Sequence, residues 1–178
     1  MKKSHDNISP LDSRYASKIE DTRSIFSEAN LIKVRFDLEI EWLLFLCKKL
    51  PSNFPAISEA SVNKILKFKQ SFDDKSVVAI KKIESKTNHD VKAVEYYIRD
   101  YFLTDKILAN YIHLIHFGLT SEDLNSLSYA VILKAGINEH LNNLKSLQSV
   151  LSKKSKQWSS MPLLARTHGQ PASPSTLG

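Results

Sequence analysis

Apolar residues recur along this chain at spacings of three and four, and polar punctuation separates the runs. From about Ile25 to Leu50, Leu31, Val34, Leu38, Trp42 and Phe45 repeat at helical spacing, with Ile40, Leu44 and Cys47 widening the stripe. The pattern predicts one long helix ended by a Pro51–Pro55 loop. Ser58 then reads as the N-cap of a helix through Phe72, with Val62, Ile65, Leu66 and Phe68 apolar. Asp73-Asp74 opens a shorter helix with Val77, Ile80 and Ile83 inward. Thr87 and Asp90 form a capping-box-like pair ahead of a helix that carries Val91, Val94, Tyr97, Ile98 and Tyr101. A short apolar helix is expected from Ile107 to Phe117, ended by Gly118. Thr120-Ser121-Glu122-Asp123 starts the longest helix, with Leu124, Leu127, Val131, Ala135, Leu141, Leu144, Gln148 and Leu151 on one seam to about Trp158.

The fold class expected is all-α. Gly is scarce at 4 of 178 residues, and neither Asn-Gly or Asp-Gly turns nor sustained alternation signals a sheet. The predicted last helix, about 50 Å long at ~1.5 Å per residue, is too long to bury its seam in so small a domain. It calls for partner helices, and hence for an oligomer. Ser173-Pro174 reads as the N-cap and first residue of a further helix. The sequence stops one turn later, so a piece of a longer chain is the expectation.

Charge and cysteine usage narrow the chemistry. The net charge of +6 fits an anionic small substrate as well as it fits the rest of a longer, more acidic chain. The lysines are scattered and not interleaved with aromatics, which argues against nucleic acid. The single cysteine, Cys47, lies in an apolar run and reads as a core residue. With no signal peptide and no membrane-length apolar run, a cytoplasmic protein without membrane association is expected. His113 and His116 sit three apart, but no cysteine or Glu-x-x-His pattern supports a metal there.

Three polar knots lie at helix starts or in turns, where free backbone N–H groups and side chains face a ligand. Asn88, His89 and Asp90 follow Thr87. A helix N-terminus with Asn and His donors suits an anion, although the same four residues suit a plain cap. Thr120 and Ser121 offer paired hydroxyls, a carboxylate cradle or again a cap. Thr167-His168-Gly169-Gln170 presents a histidine in a tight, proline-bounded turn beside a two-donor amide.

Four stretches in order, Ser9 to Tyr15, Lys86 to Tyr96, Thr120 to Asn125 and Arg166 to Leu177, resemble adenylosuccinate lyase of the fumarase/aspartase superfamily. The resemblance implies a small N-terminal helical domain, residues 1–110, and from residue 111 the start of a central domain whose long helices pack as a homotetramer. It implies β-elimination of adenylosuccinate, and of the related succinyl-carboxamide ribotide, to fumarate and the nucleotide in purine biosynthesis. No metal or organic cofactor is required. By resemblance His168 is the general acid, Arg14 and Tyr15 contact the nucleotide phosphate, and Asn88, His89 and Asp90 bind substrate. Thr120 and Ser121 hold a carboxylate, with Thr167 and Gln170 beside the acid. The base belongs to a mobile serine-containing loop beyond Gly178, and active sites mix residues of three subunits, so these 178 residues alone are expected to be inactive. Another lyase of the superfamily, such as argininosuccinate lyase, and a non-catalytic helical oligomerisation module are the competing readings.

Overall fold

Caps placed by local chemistry start most of the helices. The computed structural model describes residues 8–49 and 56–178. Two 3₁₀ turns, Pro10–Asp12 and Ala16–Lys18, lead into α1 (Glu20–Phe26) and α2 (Glu28–Lys49). The single helix expected from Ile25 is therefore broken at Ser27, whose backbone is extended (ψ 154°) and whose hydroxyl accepts from the Asn30 N–H at 3.3 Å. Capping by Ser27 satisfies a free donor of α2 at the cost of helical continuity. Leu50 and the Pro51–Pro55 loop fall outside the described residues.

α3 (Glu59–Gln70) begins at Ser58, which accepts from the Ser61 N–H at 3.1 Å. α4 (Asp74–Thr87) begins with a reciprocal box: Asp73 Oδ1 accepts from the Ser76 N–H at 3.0 Å, and Ser76 Oγ accepts from the Asp73 N–H at 3.3 Å. α5 spans Asp90–Leu103. The short apolar helix expected from Ile107 to Phe117 is a 3₁₀ helix, Leu108–Leu114, which buries Leu108, Tyr111 and Leu114. That spacing of three matches the three-residue turn of this tighter helix. This helix ends at Leu114, with Ile115 as its cap, before the expected stop at Gly118. Gly118, at φ +71°, lies in the turn that follows, and α6 runs from Ser121 to Gln157.

The core lies where α2, α3, α4, α5 and the 3₁₀ segment meet. Ile32, Phe36, Ile40, Leu43 and Cys47 of α2 pack with Ile65, Phe68, Ile80, Val94, Ile98 and Phe102. On α2 the buried row is Ile32, Phe36, Ile40 and Leu43 rather than the expected Leu31, Val34, Leu38 and Trp42 row, which is half-buried, and Phe45 is exposed. Because α2 is apolar around most of its circumference, its neighbours rather than its periodicity choose the inward face. Two charged residues, Arg35 and Glu39, lie within that inward face.

Contacts divide the chain into two units, Met1–Lys134 and Ala135–Gly178, with the boundary inside α6. The second unit departs from expectation. Residues around Ser173-Pro174 do not start a helix but form β2 (Gln170–Thr176), paired antiparallel with β1 (Pro162–Thr167). Thr167 faces Gln170 across a two-residue loop, His168-Gly169, in which both residues have positive φ (51° and 77°). Such a turn matches the twist of paired strands and zips the segment into a hairpin. Pro171 and Pro174, which donate no N–H, are tolerated because β2 has a free edge in a two-stranded sheet. The hairpin returns to the end of α6, where Ser155 Oγ donates to Gly178 O at 2.8 Å and the Gly178 N–H to Trp158 O at 3.0 Å. The chain remains predominantly helical.

Candidate functional site

Asn88 closes α4 in the left-handed conformation (φ 53°), and the backbone swings back to extended geometry at His89. The cap of α5 is not the expected Thr87–Asp90 pair. His89 Nδ1 accepts from the Lys92 N–H at 3.3 Å, while Thr87 Oγ1 donates to His89 O at 3.3 Å. Thr87 is the last residue of α4 and lies two residues before the cap, too early to reach the first turn of α5, because the left-handed Asn88 intervenes. Nδ1 being an acceptor assigns the neutral ring's proton to Nε2, a donor on a half-exposed side chain. Asn88, His89 and Asp90 line an open groove of about 410 Å³ together with Glu28, Leu31, Ile32, Arg35 and Glu84.

Arg35 is the residue that sequence reasoning missed here. Only 5% exposed, it places Nη1 at 2.8 Å from Asp90 Oδ2, and its Nη2 donates to Asn125 Oδ1 at 2.7 Å. Its signal was an arginine among the apolar positions of α2. Burial works to raise the Asp90 carboxyl, but the Val91 N–H and the Arg35 guanidinium override it, so Asp90 titrates below the ordinary carboxylate value. Two of the three polar knots, the starts of α5 and α6, are thus joined through one guanidinium.

At the start of α6, Thr120 and Asp123 form a capping box. The Thr120 N–H and hydroxyl both donate to Asp123 Oδ2 at 2.7 Å, and Thr120 Oγ1 accepts from the Asp123 N–H at 3.3 Å. The Thr120 backbone and hydroxyl bonds hold the Asp123 carboxyl below its ordinary value. The Thr120 hydroxyl is therefore spent within the cap, whereas the Ser121 hydroxyl has no hydrogen-bond partner among the described residues.

Just before this turn stands His116, in left-handed backbone (φ 60°). Its N–H donates to Glu39 Oε2 at 3.1 Å, and its Nδ1 lies 2.5 Å from Glu39 Oε1. The hydrogen bond with Glu39 raises the imidazole above its ordinary 6.5, against the opposing effect of burial. A raised folded value means that folding takes up a proton. The pair's contribution to stability is therefore complete below pH 6.5 and is lost as pH climbs through the raised value. The stability gap between the parent and Glu39→Gln, read as denaturant midpoints, is expected to be widest on the acid side and to narrow over that window. A gap that widened with pH would contradict the assignment.

The remaining candidates sit apart in sequence. Arg14 lies between the two N-terminal 3₁₀ turns with its guanidinium 5.5 Å from the Tyr15 ring centroid. Thr167, His168 and Gln170 belong to the second unit, with His168 exposed at the hairpin turn. Among the described residues no three His, Cys, Asp or Glu side chains converge as metal ligands, and no helix is long and apolar enough to cross a membrane.

A family model described as lyase matches residues 13–178. The chain belongs to the lyase family. Among named members, it is 42% identical to an adenylosuccinate lyase of Vibrio cholerae over 174 residues. It is 39% identical to adenylosuccinate lyases of Haemophilus influenzae and Escherichia coli over 173 residues each. Each match covers 96% of this lyase chain but 38% of the relative, so the chain spans less than two fifths of their length.

Proposed function

We propose that the whole protein cleaves adenylosuccinate to AMP and fumarate by β-elimination, and the succinyl-carboxamide ribotide likewise. The observation that carries this reading is the match of 96% of the chain to proteins named adenylosuccinate lyase. In the reaction a base takes a proton from the carbon next to a carboxylate, and its electron pair forms the new C=C bond. The C–N bond breaks, and the departing nitrogen takes a proton from His168. Electrostatic support for the charge that builds on the carboxylate is the main demand on the site. Ser121, whose hydroxyl is unengaged among the described residues, and Thr120 are assigned to that carboxylate. Asn88, His89 and Asp90 hold the substrate body, with His89 Nε2 as a donor, and Arg14 and Tyr15 take the phosphate. Thr167 and Gln170 flank the acid.

The domain boundary near residue 110, a cytoplasmic location and a homotetramer belong to the same proposal. Support for association comes from α6, whose Leu127, Val131, Leu141, Leu144 and Leu151 are exposed. The test is fumarate release from adenylosuccinate. The 178-residue chain alone is expected to give none, and co-expression with a chain supplying the remainder of a full-length relative should restore turnover. Inhibition by AMP separates this reading from an argininosuccinate-type lyase. A complemented complex that neither cleaves adenylosuccinate nor binds AMP would overturn this reading, and the non-catalytic helical module would follow only if argininosuccinate were not cleaved either.

A further inference from the structure

We propose that Arg35 and Glu39 act as a polar brace on α2 that sets the spacing between the Asn88–His89–Asp90 knot and the Thr120–Ser121 turn. This rests on the function proposed above and names two positioning residues for that site. The two side chains are one helical turn apart and so share a face. Both are buried, at 5% and 1% exposure, in the face that α2 turns toward the hydrophobic core. Burying a charge is costly, and a well-packed apolar pair often stabilises a fold as well or better. Their stability value is therefore a weak account of their presence, and what they hold is a stronger one.

Each charge ends on a segment that leads into a knot. Arg35 spans from Asp90, at the first turn of α5, to Asn125, in the first turns of α6 and 90 residues away in sequence. Glu39 binds both the N–H and the ring of His116, four residues before Thr120. These two hydrogen bonds pin a residue with φ 60°, the left-handed conformation from which the chain turns through Gly118 into α6. Both helix starts are thereby tied to the same rod. A planar guanidinium fixes two acceptors at set directions, which a lysine ammonium does not. Arg35 borders the groove, but its side chain is only 6% exposed and both Nη groups are engaged, so it acts through Asp90 and Asn125.

The experiment uses the full-length protein with Arg35→Lys, Glu39→Gln, Asn125→Ala and Asn125→Asp. Steady-state cleavage of adenylosuccinate and thermal midpoints are measured on each. Arg35→Lys, Glu39→Gln and Asn125→Ala are expected to lower kcat/KM by about 10- to 100-fold, with kcat itself reduced, as small misplacements of reacting groups do. Asn125→Asp keeps an acceptor for Arg35 and is expected to recover most of that loss. If Arg35→Lys or Glu39→Gln fails to fold, the Asn125 pair, which leaves both buried charges in place, still decides. Folded variants with kcat/KM within about twofold of the parent, or Asn125→Asp no better than Asn125→Ala, would overturn the brace alone. A parent that does not cleave adenylosuccinate would remove the functional reading, and the brace with it.

Discussion

Replacing His168 by asparagine in the full-length protein is expected to lower kcat for adenylosuccinate cleavage by about 10²- to 10⁴-fold, the range over which a positioned proton donor contributes. Asparagine is the informative substitution because of the turn. His168 and Gly169 form a two-residue hairpin loop with φ of 51° and 77°. Asn tolerates that left-handed backbone, and Asn-Gly is a favoured pair in such loops. The hairpin should therefore persist or tighten while the acid is removed. His168→Ala would mix the loss of the proton donor with strain in the turn. Steady-state kinetics together with the thermal midpoint separate the two causes. A substrate analogue whose leaving nitrogen needs less protonation should lose far less rate in the variant. Near-parental kcat in a folded His168→Asn protein would dismiss this residue as the acid.

The second large effect is on stability. Phe36→Ala is expected to cost about 3–5 kcal/mol, because it removes a fully buried ring from a core that only partly collapses around the gap. Phe36 has no exposed surface, and its ring centroid lies 5.1 Å from that of Phe68, 4.7 Å from Phe72 and 6.1 Å from Tyr97. One side chain thus joins α2 to α3, to the residue before the α4 cap and to α5. Against a total of about 5–15 kcal/mol for a typical domain, this is a large share. Phe45→Ala is the control. Phe45 is 46% exposed and stacks mainly on Trp42, so its loss should cost about 1 kcal/mol or less. Denaturant midpoints of the two variants should differ widely. Equal shifts would mean that α2 turns the other face inward.

The contrast between these phenylalanines marks how far the sequence could be read. Phe45 stands on the stripe that periodicity selects, and Phe36 stands beside it, yet the structure buries Phe36. α2 is apolar over most of its circumference, so several rotations satisfy the pattern equally, and packing against α3, α4 and α5 selects one. The same applies to Arg35 and Glu39, whose partners lie 90 and 77 residues away in sequence. No local pattern pairs residues over such distances. His116, for which the sequence offered no metal-site pattern, is hydrogen-bonded to Glu39, and that partner and its left-handed backbone emerge only with α2 in place.

The hairpin was missed for a different reason. Asn-Gly and Asp-Gly are the usual signals of such loops, and His-Gly supplies the same pair of positive φ values less commonly. Ser173-Pro174 is a sound helix start by composition, but strand pairing with Leu164 takes Pro174 instead. At the first knot the threonine cap failed because one left-handed residue shifted the helix start, giving the cap to His89.

By itself the sequence determined the helical class, the starts of α3, α4 and α6 and the polar character of the three knots. These depend on interactions within a few residues, where hydroxyl and carboxylate chemistry acts on the adjacent backbone. Only the tertiary structure decided which face of α2 is inside, how the starts of α5 and α6 are held together, and that the histidine turn closes a hairpin. Those outcomes depend on competition among distant partners for the same surfaces and backbone groups, which no local stretch of sequence contains.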